Sequence, residues 1–307
     1  KDLMPALLKL FEWSYKYDEN TLLNHDVVDQ LQNDTQVMVD KIRTGKVLVL
    51  GSDSSIGHDL CELLLAQETI DCIALTKSNI EGAGEALVKH MPDFVVNCYT
   101  PGLAYIGAVD DAHVQWVEAL AVAVESVDAA LVHISSSQIF DGCKETPYAE
   151  ADEINATNDA GSRLYKLEKI IQDSVSRAFI LRSGWVFGSK PGGFLDRLLT
   201  YVESGREIRL KADLDGAPTP AEDLARVINT VVWQLYYGAD CWGVYHYSGS
   251  EVTSSMAFTD TLIALASQYG EVDLDEVQLI EVDELSDQGA TKYPLLDCEK
   301  ILEAFGV

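Results

Sequence analysis

Cysteines are few and scattered in this sequence, and long apolar runs are missing. The six cysteines form no Cys-x-x-Cys pair; this pattern favours reduced thiols in the cytoplasm and argues against a structural zinc, so we expect no metal. No apolar run approaches the roughly 20 residues of a membrane helix. The first residues, KDLMPALLKLFEW, lack the order of a signal peptide. We therefore expect a cytoplasmic protein that does not enter a membrane.

Basic residues are also few, with 22 Lys and Arg against 50 Asp and Glu and a formal net charge of −28. Such an acidic surface repels nucleic acid and anionic lipid, so we predict neither as a partner. A ligand that carries phosphate must then be held locally, by backbone N–H groups or by a small number of well-placed Arg and Lys side chains.

The stretch from Lys46 to Leu65, KVLVLGSDSSIGHDLCELLL, is typical of a nucleotide-binding βα unit. A buried strand ends at Gly51, and an apolar helical pattern begins at Ile56. The helix N-terminus would offer free N–H groups to a pyrophosphate. A structural turn without a ligand would show the same degenerate pattern, in which Ser54 stands where the middle glycine is usual. The predicted cofactor-binding residues here are Gly51, Ser54, Ser55, Ile56 and Gly57.

Strand and helix patterns alternate from Lys46 onward, which predicts an α/β fold with a Rossmann-like, doubly wound parallel sheet. Residues 46–185 form mainly the nucleotide-binding core in this prediction, and residues 186–307 include a small C-terminal substrate lobe. Predicted strands cover 47–50, 72–76, 93–97, 130–135 and 178–182; predicted helices cover 56–66, 80–90, 110–127, 162–176, 194–204 and 221–237. The lobe is expected to contain a strand at 243–247, a helix at 255–269, a strand at 277–282 and a helix from Asp297.

Residues 1–45 carry helical apolar spacing and do not belong to the nucleotide unit. We predict a helical N-terminal extension that packs on the core or binds a protein partner.

Ligands of this fold bind at the carboxyl ends of the strands. Lys77 follows the second predicted strand, where no Asp or Glu is present to bind a ribose 2′-hydroxyl. It either meets the 2′-phosphate of NADP(H) or is a plain surface lysine. Asn97 follows the third strand and completes the predicted cofactor-binding residues.

The stretch after the fourth strand resembles a known family. LVHISSSQIFDG, Leu131 to Gly142, is similar to the hxSTDYVFDG block of RmlD-type dTDP-4-dehydrorhamnose reductases, which are extended short-chain dehydrogenases/reductases. The resemblance covers about residues 46–307 and extends to the regulatory β subunit of methionine adenosyltransferase. The other matching blocks are Pro147-Tyr148-x-Glu150-x-Asp152 (PYxExD), Leu181 to Gly188 (xRTSWVFG), Gly216 to Ala225 (GxPTxxxDLA), Gly243 to His246 (GxYH) and Leu296 to Lys300 (LDxxK).

The resemblance implies hydride transfer from NADPH to the keto group of a nucleotide-linked sugar. Such chemistry uses a hydroxyl that polarises the carbonyl, a Tyr that donates a proton, and a Lys that lowers the Tyr pKa. Ser136 stands in the position of the hydroxyl. The substrate-pocket residues that the resemblance implies are Arg182, Trp185, Phe194, Pro218 and Thr219.

The sequence departs from the family at the Tyr and Lys positions. An ungapped register, anchored by Gly161 and Glu168, places Ala160 where the catalytic Tyr belongs and Leu164 where the Lys belongs. Neither side chain can move a proton. We therefore expect a nucleotide or nucleotide-sugar binding or regulatory protein without reductase chemistry.

Two alternatives stay open. Tyr165-x-x-x-Lys169 has the spacing of the missing pair, so an active NADPH-dependent reductase could use Ser136 with Tyr165 and Lys169. Five residues turn a helix by about 500°, however, so this pair would require the helix to shift. The protein could instead be a scaffold that binds a partner through residues 1–45.

Overall fold

The computed structural model describes residues 45–67, 69–100, 109–188, 190, 200, 208–211, 215–268, 279–282 and 294–307. The predicted N-terminal extension lies outside the described residues except for Gly45. Phe194 and nearly all of the predicted helix 194–204 also lie outside them.

The strands and helices of the described residues follow the predicted alternation. The strands are β1 (Gly45–Leu50), β2 (Ile70–Leu75), β3 (Phe94–Asn97), β4 (Ala130–Ser136), β5 (Ala178–Ser183), β6 (Val186–Phe187), β7 (Ile208–Lys211), β8 (Asp215–Gly216), β9 (Thr219–Pro220), β10 (Gly243–His246), β11 (Thr253–Ser254) and β12 (Leu279–Val282). The helices are α1 (Ser55–Leu65), α2 (Ala83–His90), α3 (Asp111–Ser126), α4 (Asp159–Ser174), α5 (Ala221–Tyr236), α6 (Ser255–Gln268) and α7 (Glu299–Phe305). Short 3₁₀ turns cover Lys77–Gly82 and Ser137–Ile139.

The main sheet has six strands in the order β10-β5-β4-β3-β1-β2. All of its neighbouring strands are parallel. The chain moves to one side from β1 to β2 and then returns past β1 to β3, so a topological switch point lies between β1 and β3. Doubly wound sheets bind their ligands at the carboxyl ends of the strands beside such a point. The Rossmann-like fold prediction is confirmed.

Helices cover both faces of the sheet, which explains why strands such as β4 are buried at every position. On one face, α1 buries Ile56, Leu60 and Leu64 completely. Burial of each such side chain contributes about 1.5–3 kcal/mol. α5 and α7 share the apolar cluster of α1, whereas α2, α3 and α4 supply the cluster on the opposite face.

Two elements that were expected in the C-terminal lobe belong to the main sheet and its core. β10 pairs with β5 as an edge strand of the main sheet, and α7 buries Ile301 and Phe305 in the main core. Sequence spacing could not show this, because both contacts join segments that are far apart in the chain. The remaining C-terminal strands form three small two-stranded sheets, β11-β8, β12-β7 and β6-β9.

Polar caps fix where three of the helices begin. The side chains of Ser54, Asp110 and Asn158 each accept a hydrogen bond from a backbone N–H in the first turn of α1, α3 and α4. α4 therefore begins at Asp159, three residues earlier than predicted.

Within the described part of the chain, none of the helices is long and apolar enough to cross a lipid bilayer.

Candidate functional site

The turn between β1 and α1 is tight and needs glycine at two positions. Gly51 has φ of 77°, in the left-handed region that favours glycine. A Cβ at Gly57 would lie only 2.2 Å from the Gly51 carbonyl oxygen. Ser54 fits between them, because its hydroxyl donates to the Gly51 oxygen (2.8 Å) and accepts from the Gly57 N–H (3.0 Å). The serine that replaces a glycine thus closes the turn.

The same turn fits the pyrophosphate of a dinucleotide. The first N–H groups of an α-helix have no partner within the helix, and the helix dipole favours an anion there. Ser54 takes the N–H of Gly57, which leaves those of Ser55 and Ile56 for a phosphate. Gly188 packs against this point, since a Cβ there would lie 2.7 Å from the Ser55 Cβ.

Asp53 lies within the Gly51–Gly57 loop, and the sequence-based prediction of the site did not include it. It follows β1, and its Oδ1 accepts a hydrogen bond of 2.9 Å from the backbone N–H of Lys77, which follows β2. In this fold the acidic residue that binds the ribose 2′-hydroxyl usually follows the second strand, so Asp53 was not considered for that position. The only feature of the sequence that pointed to it was an Asp within the Gly51–Gly57 loop.

Asn97 at the end of β3 holds a buried polar contact. Its Oδ1 accepts from the Tyr99 N–H (3.0 Å), so its amide NH₂ faces and donates to Nδ1 of His133 (3.1 Å). Burial lowers the pKa of His133 to about 3, with a smaller contribution from His113. The imidazole is therefore neutral and carries its proton on Nε2, which has no hydrogen-bond partner among the described residues.

Tyr99 follows β3 at the same edge of the sheet. Its ring makes T-shaped contacts with the rings of His113 and Trp116 on α3, with centroids 5.1 and 5.3 Å away. Burial also lowers the pKa of His113 to about 4, although Asp110 opposes this shift. Tyr99 thus closes the side of the crevice that faces α3.

Ser135 and Ser136 end β4 at the carboxyl edge of the sheet, Ser137 follows them, and all three are buried. Ser135 Oγ donates to Glu168 Oε1 (2.5 Å), and Ser136 Oγ accepts from the Gln138 N–H (3.3 Å). The hydroxyls of Ser137 and of neighbouring Ser183 on β5 find no partner among the described residues. The edge therefore gathers uncharged hydroxyls, and the one on Ser135 is bound by the buried Glu168 carboxylate.

Helix α4 is held in one register against this edge. A Cβ at Gly161 would lie 2.2 Å from the carbonyl oxygen of Gln138, so only glycine permits the close approach. About two turns later, the fully buried carboxylate of Glu168 binds Ser135 and Arg182. Gly161 and Glu168 are also the two residues that match the family motif in the ungapped comparison of sequences.

In this register Leu164 points into the apolar core, with 2% of its surface exposed. Ala160 lies half-buried in the first turn of α4. Tyr165 is 36% exposed, and Lys169 forms a surface ion pair of 3.6 Å with Asp173. The structure therefore places Tyr165 and Lys169 on the solvent side of α4, whereas Ser136 is 2% exposed.

Arg182 lies in a buried network at the end of β5. Its guanidinium binds Glu168 through Nη2–Oε2 (2.7 Å) and Nε–Oε1 (3.0 Å), and its Nη1 reaches His246 Nε2 (3.3 Å). His246 Nδ1 in turn donates to the backbone carbonyl oxygen of Tyr148 (2.9 Å). Burial first and then Arg182 lower the pKa of His246 to about 3, so Nε2 can accept from the arginine. A contact of Arg182 with substrate stays a prediction.

Three other predicted pocket residues, Trp185, Pro218 and Thr219, lie within the described part of the chain, in the segments that follow β5 and β8. Trp185 is 5% exposed and has φ of 46°, which is uncommon for a bulky residue. Thr219 is fully buried, donates to the Gly184 oxygen (3.1 Å) and accepts from the Gly249 N–H (3.0 Å). Pro218 is half-buried. These contacts hold the wall after β5 together, and the binding of substrate there stays a prediction.

One group of potential metal ligands occurs within the described residues. His58, Asp59 and Glu62 on α1 carry ligand atoms within 4.8 Å of one another. They lie on a partly exposed helix face, and His58 contacts both carboxylates directly (3.3 and 3.8 Å). A surface ion-pair cluster explains this arrangement.

Comparison with known proteins agrees with this geometry. A family model described as "RmlD substrate binding domain" matches residues 45–307. The spore coat polysaccharide biosynthesis protein SpsK of Bacillus subtilis is 31% identical over 228 residues, covering 71% of this chain and 78% of that protein. A dTDP-4-dehydrorhamnose reductase of Aggregatibacter actinomycetemcomitans is 26% identical over 280 residues, covering 85% and 94%.

Solved structures show the same fold. A dTDP-4-dehydrorhamnose reductase of Clostridium acetobutylicum superposes with a TM-score of 0.69 at 22% identity, covering 84% of this chain and 91% of that chain. The enzyme of that name from Bacillus anthracis, solved in complex with NADP, has a TM-score of 0.69 at 23% identity, covering 83% and 90%. Because the family model spans everything from β1 to the C-terminus, the chain belongs to the RmlD family of sugar-nucleotide reductases.

Proposed function

We propose that this member of the RmlD family binds a nucleotide or nucleotide-sugar and acts as a binding or regulatory protein without reductase chemistry. The observation that carries the proposal is Leu164. In the ungapped register it stands where the family has Lys, and its side chain is buried in the apolar core. Gly161 and Glu168 hold its helix against the sheet edge.

The missing groups matter because hydride transfer to a ketone leaves an alkoxide that must receive a proton. At the site, Ser136 supplies a hydroxyl that can hold a carbonyl oxygen. Ala160 and Leu164 supply neither a proton donor nor a cation that would ease proton release. A bound dinucleotide would supply hydride, and the chain's own residues would bind and orient the ligand without completing a reduction.

The ligand-binding part of the proposal rests on the turn at α1. Gly57 leaves room for a close backbone approach, and the amides of Ser55 and Ile56 lie at the positive end of the helix. Backbone groups are the suitable phosphate ligands for a chain of net charge −28.

The test combines binding and turnover. Calorimetry with NADH, NADPH and dTDP should show binding of at least one of them, and neither reduced cofactor should be consumed when dTDP-4-dehydrorhamnose is added. Absence of binding by all three would refute the ligand-binding part.

Consumption of cofactor would overturn the proposal and favour the second candidate, a reductase that uses Ser136 with Tyr165 and Lys169. Tyr165→Phe should then abolish turnover. Tyr237→Phe, at an exposed tyrosine that ends α5, is the matched control and should retain turnover.

A protein partner for residues 1–45 remains a separate proposal. Pull-down with the full chain and with a chain that starts at Gly45 would test it, since a partner of this segment is lost only from the shortened chain.

A further inference from the structure

The carboxyl ends of β1, β2 and β3 bring together side chains from three separate segments. Asp53 follows β1, Lys77 follows β2 and Tyr99 follows β3. β1 lies between β2 and β3 in the sheet, so the three residues surround one crevice. This is the crevice at which a doubly wound sheet binds its nucleotide.

The Asp53 carboxylate is directed at the end of β2. Its Oδ1 lies 2.9 Å from the backbone nitrogen of Lys77 and accepts that N–H. The segment after β2 is the part of a dinucleotide-binding fold that meets the adenosine ribose. A backbone N–H that could bind a 2′-phosphate is therefore already bound to a carboxylate.

Further negative charge lies near Tyr99, which follows β3. Burial raises the pKa of the Tyr99 phenol, and Asp110, Glu81 and Asp53 raise it further, which places three carboxylates near this ring. A phosphate brought to this end of the crevice would meet like charges. A ribose hydroxyl, in contrast, is a donor that a carboxylate accepts.

We infer that Asp53 makes the site select a dinucleotide with an unphosphorylated adenosine ribose, the NAD(H) class, against NADP(H). The inference rests on the proposed function, because it requires a nucleotide at the Gly51–Gly57 turn. Asp53 supplies, from the loop after β1, the acidic group that NAD-binding folds carry after β2.

The test measures dissociation constants of NADH and NADPH from nucleotide fluorescence, for the full chain and two variants. Asp53→Asn removes the charge but keeps an oxygen that can accept the Lys77 N–H. Asp71→Asn is the matched control. It removes the same charge from an exposed position at the opposite end of β2.

The unchanged protein should bind NADH at least about tenfold more tightly than NADPH, and Asp53→Asn should strengthen NADPH binding by about tenfold. This gain should shrink as NaCl rises, because salt screens exposed charges. Asp71→Asn should leave both constants unchanged. Equal or tighter binding of NADPH by the unchanged protein would overturn the inference, as would an unaltered ratio in Asp53→Asn or binding of neither dinucleotide.

These outcomes are separate from failure of the proposed function. Cofactor consumption with a dTDP-sugar would overturn that proposal and leave the ribose preference standing. Preference for NADPH without turnover would overturn the ribose preference alone. If neither dinucleotide binds, calorimetry with dTDP decides the nucleotide-binding proposal by itself.

Discussion

Glu168 on α4 and Arg182 on β5 form a buried ion pair with two parallel contacts, Nη2–Oε2 at 2.7 Å and Nε–Oε1 at 3.0 Å. Their side chains are 0% and 4% exposed. The pair fixes helix α4 against the sheet edge that carries Ser136, and so determines which residues of α4 face the site.

Glu168→Gln should destabilise the protein by about 3–5 kcal/mol, because it leaves the Arg182 charge buried without its partner. Urea unfolding followed by circular dichroism measures this loss. Asp173→Asn makes the same chemical change on the same helix, at the exposed pair with Lys169. It should cost less than about 1 kcal/mol. Equal losses in the two variants would show that the buried pair does not hold α4.

Gly57→Ala should disrupt the turn before α1, since the new Cβ would lie 2.2 Å from the Gly51 oxygen. We expect a loss of at least about 2 kcal/mol in the free energy of unfolding, together with weaker nucleotide binding. Gly84→Ala is the control: nothing lies within 4 Å of its Cβ position in α2, so it should stabilise by about 0.5–1 kcal/mol. Thermal unfolding of both variants provides the comparison, and a Gly57→Ala protein of normal stability would contradict the geometry of the turn.

Ser137 and Gly184 should be energetically coupled. A Cβ at Gly184 would lie 2.5 Å from Ser137 Oγ but 3.3 Å from Ser137 Cβ. Gly184→Ala alone should therefore cost about 1–3 kcal/mol, and Ser137→Ala should relieve most of this clash. A double-mutant cycle in urea should give a favourable coupling of about 1 kcal/mol or more. Simple additivity would show that the backbone, and not the hydroxyl, limits the residue at position 184.

Stability should fall as the pH falls below about 6.5. Burial lowers the pKa of His133 to about 3 and that of His113 to about 4. In the unfolded chain a histidine has a pKa near 6.5. Between this pH and the lower pKa of the folded state, the unfolded chain therefore binds more protons than the folded chain. Each histidine then reduces the free energy of unfolding by up to about 1.4 kcal/mol per pH unit across that window.

His133→Gln should reduce this slope between pH 7 and pH 5, because glutamine does not titrate there but can still accept from Asn97. Urea unfolding at several pH values measures the slope. His90→Gln, at a half-exposed position that ends α2, is the matched control. An identical slope in His133→Gln and the unchanged protein would contradict the prediction.

Local sequence predicted the elements that form the site. A run of apolar residues, Val47–Leu50, followed by Gly51 and a helical pattern from Ile56, determines β1, the turn and α1, because strand burial, positive φ and helix capping depend on neighbouring residues. The ungapped register of α4, which puts Ala160 and Leu164 at the family Tyr and Lys positions, stays a prediction. Its two anchors, Gly161 and Glu168, both contact the sheet edge.

Only the tertiary structure decided which distant groups meet. β10 joins the main sheet through pairing with β5, Arg182 finds Glu168, and Asp53 reaches Lys77 across 24 residues of chain. Such contacts leave no repeating pattern of residues in the sequence, because they depend on how the strands are ordered in the sheet. The sequence by itself thus determined the α/β fold and the position of the turn between β1 and α1. The tertiary structure determined which charges surround the nucleotide crevice, because the carboxyl ends of β1, β2 and β3 converge only after the sheet has formed.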